Sequence, residues 1–106
     1  MARDTYELTK AYPKDEQYGI VSQMKRSAVS IASNIAEGAA RQGNKEFLQF
    51  LYIALGSASE LDTQIEISRK IGLGDSRKLD ELQNHLETIS KMLQGLIRSI
   101  KSQAGS

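Results

Sequence analysis

Residues 76–102 read SRKLDELQNHLETISKMLQGLIRSIKS. Leu79, Leu82, Leu86, Ile89, Leu93, Leu96 and Ile100 recur there at alternating spacings of three and four. That is the period of one face of an α-helix, and both the period and the length exclude a strand. A helix over 76–102 is predicted, roughly 40 Å long, with Asp75 or Ser76 as its N-cap.

Working outward, Gly72-Leu73-Gly74 breaks the chain just upstream. Gly72 suits the position after a helix end, with Arg69 and Lys70 in the last turn where cations suit the dipole. The preceding segment, 45–71, carries an inner stripe of Phe47, Phe50 or Leu51, Ala54, Ala58, Leu61 and Ile65, with Asn44 as its expected cap. Before Gly43, residues 20–41 form a third helical segment. Val21, Met24, Ala28, Ile31 and Ile35 make its seam, and Ala28, Ala32, Ala36 and Ala40 form a small-residue ridge beside it. The first segment, 4–12, is short: Asp4 and Glu7 have capping-box spacing, and Pro13, the one proline, limits it. Short linkers make neighbouring helices antiparallel. The fold class predicted is all-α, a single up-down-up-down four-helix bundle over 1–106 with a short first helix. That helix fills only about a third of its groove.

Composition bounds the chemistry. The chain has 106 residues, 14 Lys plus Arg, 13 Asp plus Glu, one His and no Cys. Leu, Ile, Val and Phe are 25 of the 106, enough for a packed core. A net charge of +1 excludes strong global attraction to nucleic acid or anionic membranes, but leaves local patches open. Without cysteine there is no disulfide framework or thiolate site. Met1 to Lys10 lacks a signal-peptide apolar stretch, and Phe47–Leu55 is too short to cross a bilayer. A cytoplasmic protein without a membrane partner is expected.

Catalytic constellations are missing. His85 lies off the seam and reads as a surface side chain. Carboxylate-bridged di-iron bundles use Glu-x-x-His on two helices, and Glu81 to His85 has the wrong spacing. No phosphate-binding glycine loop and no G-x-S-x-G occurs. Neither an enzyme, a cofactor nor a metal is expected.

Three other features remain. First, Phe47–Leu55 is apolar nearly all round, whereas a bundle helix needs one stripe. Leu48, Tyr52 and Leu55 are therefore candidates for a subunit interface, where burial supplies on the order of 5 kcal/mol before association costs. Second, Asn34, Glu37 and Glu60 are candidates for an inward polar network between the second and third helices, with Ser57 near. Third, Lys25, Arg26, Arg41, Lys45, Arg69, Lys70, Arg77 and Lys78 form local basic clusters. Repeated by oligomer symmetry, these clusters become a ring able to hold a phosphate backbone without reading bases.

The run YGIVSQMKRSAVSIASNIAEG, residues 18–38, resembles the signature of the four-helix-bundle proteins encoded in 23S rRNA intervening sequences. Lys45–Leu48, Tyr52–Leu61 and Tyr6–Lys10 with Pro13 fit the same pattern. The accessory protein of diversity-generating retroelements is a more distant relative. The resemblance implies a homopentamer with a barrel-like centre, and for that distant relative a basic surface that binds nucleic acid and a reverse transcriptase. It marks Arg26, Asn34, Glu37, Gly38 and Glu60 as motif positions. Most members have no assigned activity, and their link to rRNA is genetic position. Against that pattern the first helix here is short, as a shortened variant or a truncated start, which leaves part of the groove between the second and fourth helices bare. The expected function is a non-enzymatic homo-oligomer, a pentamer by resemblance, that binds RNA or DNA through basic patches. The alternative is a structural or adaptor oligomer that binds a protein partner by accepting a helix.

Overall fold

A computed structural model describes residues 1–105, with side chains through Gln103. It holds four α-helices and one 3-10 turn: α1 Ala2–Thr9, the turn Lys14–Glu16, α2 Ile20–Ala39, α3 Asn44–Lys70 and α4 Ser76–Gly105. No strand occurs among the described residues. α1 packs on α2 and α4, α2 on α3, and α3 on α4. The result is the antiparallel four-helix bundle with a short first helix, with α1 diagonal to α3 and α2 diagonal to α4.

The core has two parts. Around α1 it joins Leu8, Tyr12, Val21, Met24, Ala28, Ile31, Ala58, Leu61, Ile65, Leu79, Leu82 and Leu86. Beyond the start of α1, a second cluster of buried side chains joins Leu51, Ala54, Leu93, Ile97 and Ile100, with Ile35, Phe47, Leu48, Leu55 and Ile89 packed partly against them. One end of the rod is thus a four-helix bundle and the other a three-helix bundle. The rod is 50 Å long and about 20 Å across.

The α3–α4 turn follows its sequence. Gly72 has φ +76°. The Leu73 N–H donates to the Ser68 carbonyl at 2.8 Å and that of Gly72 to Arg69 at 3.3 Å, closing α3 in a Schellman motif. Asp75 Oδ1 then accepts from the N–H groups of Arg77 (2.8 Å) and Lys78 (3.3 Å), and so caps α4.

Several local expectations are corrected. α1 ends at Thr9, not Tyr12: the Tyr12 N–H turns back to the Thr9 carbonyl at 3.0 Å, so the chain leaves the helix before Pro13. Asp4 and Glu7 form no capping box; α1 begins at Ala2, and its N-cap Met1 makes no side-chain cap bond. Asn44 is the first helical residue of α3, and Gly43 holds the cap position without a side-chain bond. Ala32, Ala36 and Ala40 are exposed, so of the alanine ridge only Ala28 is buried. The close approach lies at Gly38, where an added Cβ would stand 2.8 Å from Phe47 Cδ1 and from Phe50 Cβ. In α4 the buried residue after Leu93 is Ile97, 6% exposed, while Leu96 is 38% exposed. The spacing from Leu86 is therefore 3, 4, 4 and 3, which follows a straight helix rather than a supercoiled heptad.

Candidate functional site

The main surface feature is the empty fourth corner. α1 fills the space between α2 and α4 only as far as Met1. Past Met1 lies a cleft of about 480 Å³, lined by Ile31, Ala32 and Ile35 of α2 and by Ile89, Met92, Leu93 and Leu96 of α4. Every lining side chain is apolar. Met92 is 68% exposed, so the corner opens to solvent. A soluble chain seldom leaves contiguous apolar surface uncovered without a use for it. The first helix's shortness signalled this corner in the sequence. Met92 itself was missed, because it lies beside the seam and not on it.

The surplus apolar residues of α3 divide. Leu48 and Leu55 are half-buried and pack against the distal core, because three helices there leave gaps that they fill. Tyr52 is 47% exposed and Ile53 also faces solvent. Lys101 Nζ donates to the Tyr52 hydroxyl at 3.2 Å and stands 5.9 Å from its ring centre. Ile53 escaped the sequence reading.

The polar network is smaller than expected. Asn34 Nδ2 donates to the Ser30 carbonyl at 2.8 Å and to Ser30 Oγ at 3.0 Å. Ser30 Oγ is 2.8 Å from Ser57 Oγ, which ties α2 to α3. Glu37 does not join: it is exposed and pairs with Arg41 at 3.3 Å, one turn on along α2. Glu60 is exposed and stands at the edge of a cleft with Arg26. A carboxylate keeps its hydration there, which burial between helices would remove.

The eight basic candidates do not converge. Arg41 and Lys45 lie at the α2–α3 end, and Lys70, Arg77 and Lys78 at the α3–α4 end, with the 27 residues of α3 (roughly 40 Å) between them. Arg41 is engaged by Glu37 and by Glu46 at 3.9 Å. Arg69 is a staple, bonded to Asp80 at 2.8 Å and Gln83 at 2.9 Å across to α4. Lys25 sits 4.7 Å from the Tyr6 ring centre, and Arg26 donates to Ser22 Oγ at 3.3 Å. The side chains of Lys70, Arg77 and Lys78 are exposed at one end of the rod, where no carboxylate of the described residues lies within 4 Å of them.

His85 is a surface side chain whose Nδ1 lies 3.0 Å from Asp4 Oδ2, so it pins α1 to α4. Among the described residues no group of three His, Asp or Glu is placed to hold a metal ion. No helix among them is long and apolar enough to cross a membrane. Burial pushes the Tyr12 phenol above its ordinary value of 10.0, and nearby Ser68 acts the other way. The Tyr12 hydroxyl is buried without a hydrogen bond of good geometry.

The crystal structure of a protein of unknown function from the S23 ribosomal protein family of Bacteroides thetaiotaomicron is similar to this chain, with a TM-score of 0.75 and 21% identity. The match covers 91% of this chain and 96% of that one, and at that identity it shows the shared fold. No curated protein matches the chain. The pattern of the 23S rRNA-intervening sequence proteins matches residues 1–95, nearly the whole bundle. The chain therefore belongs to the 23S rRNA-intervening sequence protein family.

Proposed function

We propose that this protein is a non-enzymatic, homo-oligomeric helical scaffold that covers its open corner with an apolar surface of a second copy. The observation that carries the reading is the cleft between α2 and α4, apolar throughout and open at Met92 and Leu96. A second feature supports it. Tyr52 and Ile53 are exposed on α3, the helix diagonal to the empty corner. A concave surface on one flank and an apolar ridge on another suit head-to-tail association, and such contacts close into rings when the rotation allows. The ring of five rests on the family resemblance alone. An amphipathic helix of another protein fits the same corner by the same chemistry, which is the adaptor form of the reading.

The test is the mass in solution of the native chain and of the double variant Met92→Glu, Leu96→Glu. Both positions are exposed, so the isolated bundle tolerates the change. The expected result is a native mass several times 11.7 kDa, falling toward 11.7 kDa in the variant with helicity unchanged. A native monomer, or a variant that keeps the native mass, would contradict the reading.

Nucleic-acid binding is the second reading. Lys70, Arg77 and Lys78 favour it, as exposed cations gathered at one end. Copies arranged around an axis near that end would form one basic surface. Its mark is an affinity for duplex RNA or DNA that falls steeply as salt rises.

A further inference from the structure

The chain carries three methionines and no cysteine. A mild two-electron oxidant therefore finds thioethers to react with, and no thiol. The three thioethers stand in very different surroundings. Met24 is sealed in the core at 0% exposure, and the Ser68 hydroxyl donates to its sulfur at 3.7 Å. The Met1 side chain packs against the core at the start of α1 and is 7% exposed. Met92 is 68% exposed. Oxidation follows access, so a dissolved oxidant meets Met92 first.

Met92 also forms part of the wall of the empty corner. A flexible thioether suits that wall, because it moulds to whatever covers it. The rest of the lining is Met1, Ile31, Ala32, Ile35, Ile89, Leu93 and Leu96, and no side chain among these carries an N–H or O–H.

One oxygen atom on that sulfur changes what the corner can hold. A sulfoxide oxygen is a polar acceptor. In the free bundle it stays in water. Under an apolar surface of a second copy it loses that water and meets no donor from the corner. A polar group buried without a partner is costly, so the covered state loses stability. The loss falls on the contact and not on the fold. Met92 belongs to neither core cluster, and its side chain is already in water in the isolated bundle.

We infer that Met92 is an oxidation site through which a peroxide releases the contact at the corner. The inference rests on the scaffold reading above. The step is an oxygen-atom transfer. The Met92 sulfur lone pair attacks one oxygen of hydrogen peroxide, the O–O bond breaks, and the second oxygen leaves as water with both protons. The sulfur is oxidised by two electrons to the sulfoxide, and the peroxide is reduced by two. A covered Met92 is shielded, so the reaction takes copies whose corner is open. Each oxidised copy is then withdrawn from assembly, and the equilibrium drains toward free chains. Methionine sulfoxide reductases reverse the step, one enzyme for each sulfoxide epimer.

The native chain treated with hydrogen peroxide tests it. Peptide mass spectrometry locates the added oxygen, light scattering gives the mass in solution, and circular dichroism follows helicity. The expected result is oxygen on Met92 at least about tenfold faster than on Met24. The mass should fall toward 11.7 kDa in step with Met92 conversion, with helicity unchanged, and both reductases together should restore it. In Met92→Leu the same treatment should leave the starting mass as it was. An assembly that keeps its native mass with Met92 fully converted overturns the inference and leaves the scaffold reading standing. A fall in mass that Met92→Leu shares also overturns it, as does oxidation of Met24 at the rate of Met92. A native chain that is monomeric before any oxidant is added removes the scaffold reading and this inference with it.

Discussion

Tyr12 shows how little of a residue's role its neighbours in the chain reveal. It follows the end of α1, yet its ring is buried under Gly74, where an added Cβ would stand 3.0 Å from the phenol oxygen. Gly74 is needed twice, for its φ of +84° and for this contact. Burial raises the phenol's pKa, so folding favours the neutral form. That part of the stability is fully present below the unfolded value near 10 and is lost as pH rises through the folded one. Tyr12→Phe removes the unpaired hydroxyl and keeps the ring. Denaturant unfolding should give a variant at least as stable as the native chain at neutral pH, with a shallower loss of stability above about pH 10. A destabilisation beyond about 1 kcal/mol at neutral pH would show the hydroxyl to be bonded. Arg69 was legible only as a basic residue near a helix end. Its true partners, Asp80 and Gln83, lie across the turn on α4, and no spacing in the sequence announces them. Asn34 and Glu37, three residues apart, stand together with Glu60 in the expected inward network. The helix sends Asn34 back to Ser30 and leaves Glu37 in water with Arg41.

At the scale of elements, the long helices were readable because apolar spacing fixes both their type and their inner face. α3 and α4 depart from the expected bounds only at their ends. The turn between them was readable too, since Gly72 and Asp75 act locally, through backbone geometry and capping. The phase of α4 beyond Leu93 was not. Leu96 and Ile97 are adjacent and equally apolar, and a heptad extrapolation selects Leu96. A straight helix gains about 20° per heptad, so the inner face moves on to Ile97. Replacement by alanine separates the two. In dilute solution Ile97→Ala should cost about 2–4 kcal/mol of unfolding free energy, and Leu96→Ala under about 1 kcal/mol. The reverse order would place Leu96 in the core. Gly38 belongs to this scale as well. It lets α2 close on Phe47 and Phe50 at the α2–α3 end.

The whole molecule is a rod that changes character along its length, four helices around Tyr12 and three around Ile97. That change follows from one number legible in the sequence, the shortness of the first helix. Its consequence was legible in outline, as a bare groove between the second and fourth helices. The lining was not, because Met92 and Leu96 become a surface only once α2 and α4 stand on either side of an empty corner. The basic residues gave the opposite outcome. They were easy to count, but the rod separates them to its two ends and pairs two, Arg41 and Arg69, with carboxylates. Charge alone therefore ranks below the open corner as a guide to what this protein does. The chain has no cysteine, so a single introduced thiol reports its own surroundings. The most direct measurement compares the thiol-reagent reactivity of Met92→Cys, in the corner, with that of Gln94→Cys, exposed on another side of α4, over a range of protein concentrations. A covered corner predicts slow reaction at Met92→Cys in concentrated protein, rising to the rate of Gln94→Cys on dilution. Equal rates at every concentration would mean that the corner stays open and that the scaffold reading is wrong.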